Sequence, residues 1–167
     1  RKFVDALDGT GCKVLDTRKT TPGLRALEKW AVRIGGGTNH RHGLYDMVMI
    51  KDNHGDMNGG LPNAIRSARE YLHALHLNLD VEVETRNLKE VELVLVTGGV
   101  KRVMLDNFGF DELRKAVALI NRRYETEASG GITLANARKY AECGVDFISV
   151  GALTHSVKSL DLSLKAM

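Results

Sequence analysis

The 167 residues are enough for one domain with its own hydrophobic core, and we assign residues 1–167 to a single domain. With 43% hydrophobic and 27% charged residues, the composition is typical of a globular protein and excludes a disordered one. The net charge of +3 and the 5% aromatic content argue against a nucleic-acid partner, since such proteins carry clustered basic residues or aromatic stacking surfaces.

Segments with apolar residues at helical spacing predict the helices. The first, with Phe3, Val4 and Leu7, has no capping residue before it, so we expect the sequence to start inside a helix and an N-terminal portion to precede Arg1. The next begins with Thr21 as N-cap and Pro22 at the first helical position. In chain order the apolar faces are Leu24, Leu27, Ala31 and Ile34; Ile65, Ala68, Leu72 and Leu75; Phe110, Leu113, Val117 and Ile120; and Leu134, Ala137 and Ala141, closed by Gly144.

Short apolar runs alternate with these helices and predict seven strands, at 12–16, 46–50, 80–84, 102–106, 124–128, 147–151 and 160–164. The alternation implies parallel strands joined by right-handed crossovers. The runs are nearly continuous in apolar character, as expected for strands buried on both faces. About seven such units favour an α/β fold of the barrel type over a doubly wound sheet.

Polar or glycine-rich clusters follow nearly every predicted strand, and in a barrel all of them meet at one mouth. Two clusters are basic, at 16–20 with Arg18 and Lys19 and at 38–43 with His40 and Arg41. Guanidinium groups present a planar fork that matches carboxylate and phosphate, so these clusters suit a small polyanionic ligand. Lys51, which follows the second strand, adds a point charge for phosphate or pyrophosphate.

Two further features lie at strand ends. Ser129, Gly130 and Gly131 form either a simple turn or, beside a helix N-terminus and together with Gly151, a phosphate site. Glu84 and Asp106 are either solvated strand ends or a carboxylate pair that faces a metal ion or a developing oxocarbenium ion. The segment 52–60 resembles a calcium loop only in composition, and we interpret it as a mobile loop.

No apolar run reaches the length of a membrane span, and we find no signal-peptide pattern. Cys12 and Cys143 lie far apart without metal-ligand spacing, so we interpret them as small buried residues of a reducing compartment. We therefore expect a cytoplasmic protein with no membrane partner.

The motifs resemble those of the quinolinate phosphoribosyltransferase family, the carboxylating nicotinate-nucleotide pyrophosphorylases of NAD biosynthesis. The matching stretches run in order along essentially the whole chain. They lie at 15–25, 35–41, 50–54, 81–84, 104–107, 127–132 and 149–155. The resemblance implies an open α/β barrel of about seven strands and a type II phosphoribosyltransferase. Its reaction converts quinolinate and phosphoribosyl pyrophosphate to nicotinate mononucleotide, pyrophosphate and carbon dioxide.

The resemblance also implies roles for individual residues. Quinolinate carboxylates would be held by Arg18, Lys19, His40 and Arg41. Lys19, Lys51, Glu84 and Asp106 would form the catalytic centre, with both lysines near the pyrophosphate. Glu84 and Asp106 would lie near the ribose hydroxyls and Mg²⁺, directly or indirectly. The phosphoribosyl group would contact Lys51, Glu84, Asp106, Ser129, Gly130, Gly131, Gly151 and His155.

Family members carry an N-terminal α/β domain, which from a neighbouring subunit completes the site with another arginine. By this resemblance the chain is the barrel domain alone, truncated at its N-terminal side, and a homodimer or larger homo-oligomer is expected. We expect such a chain to bind phosphoribosyl pyrophosphate weakly and to turn over poorly.

Two alternatives stay open. The phosphoribosyltransferase-like proteins of molybdenum transport systems share these barrel motifs, and carbon dioxide release from quinolinate would separate them. A non-catalytic barrel that keeps only the anion pocket is the other, although the intact set of charged residues argues against it.

Overall fold

Six parallel strands form one sheet in the computed structural model, which describes residues 1–158 and 160–166. The strands are β1 (Lys13–Leu15), β2 (Val48–Ile50), β3 (Val81–Thr85), β4 (Arg102–Asp106), β5 (Glu125–Ser129) and β6 (Phe147–Ser149). They lie in the order β1-β6-β5-β4-β3-β2, so β1 and β2 are the two edges. A single bridge from Leu15 to Thr38 lies at the β1 edge. The sheet does not close, as expected for an open α/β barrel.

The helices of the described residues connect and cover these strands. They are α1 (Lys2–Ala6), α2 (Arg25–Ile34), α3 (Asp52–Met57), α4 (Leu61–Ala74), α5 (Leu88–Thr97), α6 (Phe110–Ile120), α7 (Ala137–Ala141) and α8 (Ala152–His155). None of the helices in this described part is long and apolar enough to cross a membrane. Cys12 and Cys143 are buried free thiols, and burial raises the pKa of Cys12 to about 12.

The predicted seventh strand at 160–164 is wrong, because these residues form no strand. Leu160, Leu162 and Leu164 alternate as in a strand, but their side chains are almost fully exposed. A period-two pattern needs a neighbouring strand and a covered face to become a strand, and this segment has neither.

Four helical segments differ from the predictions. Helix α2 begins at Arg25 rather than after Thr21, since residues 21–24 form a turn closed by the Leu24 amide and the Thr21 carbonyl over 3.0 Å. Leu134 lies in a turn before α7, which is shorter than predicted. The loop predicted at 52–60 contains α3, and α5 was not predicted at all.

The two faces of the sheet differ in chemistry. Leu105, Val83 and Ile148 are fully buried on the face towards the helices, where they form the hydrophobic core. The opposite face, inside the open barrel, carries mostly charged side chains at alternate positions of β3, β4 and β5. These inward positions are Glu82 and Glu84; Arg102, Met104 and Asp106; and Glu125, Glu127 and Ser129. The prediction of nearly continuous apolar strands is therefore wrong for β3 and β5.

Candidate active site

Lys51 and Glu84 form an ion pair at the carboxyl ends of neighbouring strands. Lys51 directly follows β2, and its Nζ lies 2.8 Å from Glu84 Oε2 on β3. The carboxylate is largely buried whereas the ammonium is about half exposed, with side-chain exposures of 11% and 47%. The pair therefore presents its cationic side to the mouth of the barrel.

Asp106 is held at the next strand end by two hydrogen bonds. Ser129 Oγ donates to Asp106 Oδ1 over 2.6 Å, and Asn107 Nδ2 donates to Oδ2 over 2.6 Å. The register of β4 and β5 places Asp106 beside Ser129, and the Asn107 amide donates to the Ser129 carbonyl over 2.9 Å. Both carboxylate oxygens are fixed, so Asp106 is a preorganised negative charge.

Gly130 allows this close approach of two loops. Its φ is +94°, and a Cβ on it would lie 2.1 Å from Asn107 Oδ1. Across the mouth, the ring of His155 lies over Gly151, where a Cβ would meet Nε2 at 2.7 Å. Throughout residues 1–158, the amides of Gly130, Gly131 and Gly151 donate to no protein acceptor. These free N–H groups are donors suited to a phosphate.

The helix-dipole argument for the phosphate site is wrong. Residues 132–136 separate Gly131 from the start of α7 at Ala137, so the N-terminus of that helix does not begin at the glycines. The free amides of the glycines, rather than a macrodipole, are what this loop offers to an anion.

The two basic clusters meet beside β1, because Thr38 at the start of the second cluster pairs with Leu15 at that edge of the sheet. Arg25 donates from Nη2 to the Arg18 carbonyl at 3.2 Å and from Nη1 to the His42 carbonyl at 3.3 Å. Burial, and then the positive charge of Arg18, lower the pKa of Arg41. The buried Arg18 Nε has no partner among the described residues. Two guanidinium groups with spare donors in one region suit a dicarboxylate.

Lys19 lies in the same region but is exposed. Its carbonyl accepts a hydrogen bond of 2.7 Å from Thr154 Oγ1, which ties the loop after β1 to α8. The first basic cluster is thereby connected to the Gly151 loop, where the phosphate site was predicted.

His40 differs from the other predicted ligand residues because its ring is buried and faces inward. Its Nε2 lies 3.0 Å from Glu82 Oε2 and 3.4 Å from Glu127 Oε2. Arg102 Nη1 donates to the same Glu127 oxygen over 3.0 Å. His40 therefore joins the mouth to a charged layer inside the barrel. Glu82, Glu127 and Arg102 of this layer were not predicted as site residues.

The two glutamates of this layer differ in the direction of their pKa shifts. Burial, and then the charge of Glu127, raise the pKa of Glu82 to about 7, whereas His40 and Arg102 outweigh burial and lower the pKa of Glu127. Burial lowers the pKa of His40, but both glutamates raise it to about 9 overall. The Arg41 amide, however, donates to His40 Nδ1 over 2.7 Å, which requires a lone pair there. This backbone hydrogen bond therefore indicates that the His40 imidazole is neutral, with its proton on Nε2.

The same contact argues against a metal ion at His40, Glu82 and Glu127, whose ligand atoms lie within 4.8 Å of one another. A neutral histidine that binds a metal through Nε2 normally donates from Nδ1, but here Nδ1 accepts. Glu84 and Asp106 are the better oxygen donors for Mg²⁺, which takes one or two carboxylates together with substrate phosphates. Glu84 and Asp106 therefore fit the Mg²⁺ ion that the family resemblance implies.

An apolar cavity of about 370 Å³ lies elsewhere, between α1, α2 and α8. Phe3, Leu27 and Leu153 contribute to its lining, which contains none of the predicted site residues. The predicted site residues therefore do not line this cavity.

Comparison with known proteins agrees with the fold and the motifs. The sequence profile of the quinolinate phosphoribosyl transferase C-terminal domain matches residues 1–165. A chloroplastic nicotinate-nucleotide pyrophosphorylase (carboxylating) of Arabidopsis thaliana is 55% identical, across 91% of this chain and 48% of its own length. A quinolinate phosphoribosyltransferase (decarboxylating) of Nicotiana tabacum is 52% identical, across 91% of this chain and 47% of its own.

Solved structures give the same result. NadC from Streptococcus pyogenes has a TM-score of 0.91 and 43% identity, with 99% of this chain and 56% of that chain covered. The chain spans about half the length of the curated relatives it matches. It belongs to the quinolinate phosphoribosyltransferase family and corresponds to the family's C-terminal domain.

Proposed function

We propose that the protein transfers phosphoribose from phosphoribosyl pyrophosphate to quinolinate, with loss of carbon dioxide, in NAD biosynthesis. The observation that carries the proposal is the meeting of four groups at one barrel mouth. These are the adjacent Arg18 and Arg41, the Lys51–Glu84 pair, the fixed Asp106 and the free glycine amides. Together they offer sites for a dicarboxylate, a pyrophosphate, a cationic sugar and a phosphate.

The dicarboxylate clamp consists of Arg18, Lys19, His40 and Arg41. In this proposal, Arg18 and Arg41 bind the quinolinate carboxylates, and the exposed Lys19 supplies a further charge. The neutral His40 ring closes the inner side of the clamp. Holding both carboxylates aims the ring nitrogen at the sugar, so the clamp contributes mainly by proximity.

Transfer forms a bond between the ring nitrogen and C1 of the ribose while the bond from C1 to the pyrophosphate oxygen breaks. The leaving pyrophosphate takes the electron pair, and Lys51 neutralises part of its charge. Positive charge develops on the ribose, which Glu84 and Asp106 stabilise as fixed carboxylates. Ser129, Gly130, Gly131, Gly151 and His155 hold the 5′-phosphate of the same substrate.

Decarboxylation follows on the nucleotide. The bond from C2 of the ring to its carboxylate breaks, its electrons remain at C2 beside the cationic ring nitrogen, and a proton replaces the departing carbon dioxide. Glu84 and Asp106 would hold Mg²⁺, which when bound neutralises pyrophosphate charge.

A coupled assay tests this proposal. The purified protein should release pyrophosphate and carbon dioxide in equal amounts from quinolinate, phosphoribosyl pyrophosphate and Mg²⁺. Nicotinate, which lacks the second carboxylate, should react far more slowly. Equal rates with the two pyridines, or pyrophosphate release without carbon dioxide, would contradict the proposal.

The surface of α2 bears on the oligomeric state. Leu27, Trp30 and Ile34 of α2 are exposed, with 59%, 62% and 71% accessibility, and such apolar surface supports a homo-oligomer.

The cytoplasmic location stays a prediction, and the names of the plant relatives place those proteins in chloroplasts or mitochondria.

A further inference from the structure

Lys29 is the only residue of α2 that is buried, although the helix is rich in apolar side chains. Its side chain is 3% exposed and pairs with Asp16, which is fully buried directly after β1. The apolar Leu27, Trp30 and Ile34 of the same helix lie outside. A helix that buries its lysine and exposes its tryptophan is not anchored by hydrophobic burial at this point.

The Asp16–Lys29 pair is bonded to both backbone groups of His40. The His40 amide donates to Asp16 Oδ1 over 2.9 Å, and Lys29 Nζ donates to the His40 carbonyl over 2.9 Å. Asn39 completes the arrangement, because its Nδ2 donates both to Asp16 Oδ2 and, over 2.8 Å, to the Lys29 carbonyl. The side-chain amide of Asn39 and both backbone groups of His40 are therefore hydrogen-bonded to Asp16 or Lys29.

We propose that Asp16 and Lys29 are the positioning residues of the dicarboxylate clamp, which they assemble from its two halves. Arg18 and Lys19 follow Asp16 directly in sequence, and Arg41 follows His40. Backbone pairing joins the two halves as far as Thr38, whose amide donates to the Val14 carbonyl over 2.9 Å and whose carbonyl accepts from the Asp16 amide over 3.2 Å. Beyond Thr38, the ion pair holds residues 39 and 40. This inference rests on the proposed function, because it takes quinolinate as the ligand of the clamp.

Stability alone does not account for the pair. Removing two charges from water is costly, and apolar residues of similar volume often serve a folded core equally well or better. What an apolar pair cannot supply is a set of directional bonds to the amide and carbonyl of His40. The pair thus determines where Arg41 lies relative to Arg18, and hence the spacing of the carboxylates that fit.

The experiment compares three variants with the unmodified protein. D16N/K29M removes both charges at nearly constant volume and is expected to fold, whereas K29M alone leaves Asp16 buried without its cation. E142Q, which removes an exposed ion pair with Arg138, is the matched control. Titration calorimetry with quinolinate and with inorganic pyrophosphate gives the two affinities, and hydrogen exchange reports on residues 38–43 and on β3.

The double variant should bind quinolinate roughly tenfold or more weakly, the equivalent of one lost charge-assisted hydrogen bond, with pyrophosphate affinity within about threefold. Amide exchange at 38–43 should accelerate about tenfold or more while β3 is unchanged. Unchanged quinolinate affinity, or equal loss of both ligands with faster exchange everywhere, would overturn the inference. If the unmodified protein fails to bind quinolinate, the proposed function fails, and the exchange at 38–43 alone decides the inference.

Discussion

Glu84 illustrates how one inward carboxylate can serve catalysis rather than binding. It is paired with Lys51, and it lies where positive charge develops on the ribose in the proposed reaction. The pairing holds the carboxylate in place without fully neutralising it, because Lys51 is about half exposed to solvent. Such a group matters more in the transition state than in the ground state.

Replacing Glu84 by Gln should therefore lower kcat about 100-fold or more, as seen when one preorganised electrostatic group is removed, and change ligand affinity much less. Steady-state kinetics and calorimetry with phosphoribosyl pyrophosphate measure the two effects. Glu112→Gln, at an exposed position of α6, is the control. A variant that loses affinity in proportion to rate would indicate a binding role and favour a non-catalytic barrel.

Glu82 should make stability depend on pH. Its folded pKa of about 7 lies above the unfolded value of 4.5, so between these values the folded state binds the extra proton. Stability from this group is present below pH 4.5 and is lost as the pH rises through 7. The shift corresponds to about 3 kcal/mol at most.

The isosteric change Glu82→Gln keeps the neutral form at every pH. Urea unfolding at pH 5, 6, 7 and 8 should therefore show the unmodified protein losing stability relative to this variant as the pH rises. Parallel stability curves for the two proteins would show that Glu82 is not the protonated member of the layer.

At the level of elements, helices and strands with a strong local signal were predicted well. Helix α6 begins and ends at the first and last residues of its predicted apolar face, and β4 has the predicted bounds. Helix α5 was missed because its apolar residues lie on several sides, including the exposed Leu93 and Val96. The start of α2 was misplaced because Thr21 and Pro22 also suit the turn that precedes Arg25.

The loops after β4 and β5 pack closely against each other at Gly130. Gly130→Ala should cost more stability than Gly131→Ala, although both positions have positive φ, because only at Gly130 would a Cβ meet Asn107. The shared backbone strain is about 1 kcal/mol, and displacement of Asn107 adds to it at Gly130. Thermal unfolding of the two variants measures the difference, and equal losses would show that Asn107 moves aside without cost.

At the level of the whole molecule, the outward face of α2 is the feature that the single chain leaves unexplained. Trp30→Glu should shift the protein towards smaller species in sedimentation velocity without destabilising the fold, since the side chain is 62% exposed. Val96→Glu, at an exposed position of α5, is the control and should leave the assembly unchanged. A monomeric unmodified protein would contradict the proposed homo-oligomer.

The sequence by itself determined the parallel α/β alternation and the polar residues at the strand ends, because both depend on short-range periodicity. It also carried the motifs of the family. Only the tertiary structure decided that 160–164 is not a strand, that Glu82 and Glu127 face His40, and that Lys29 is buried on Asp16. Each of these depends on residues distant in sequence, since burial and pairing are set by what packs alongside and not by the local pattern.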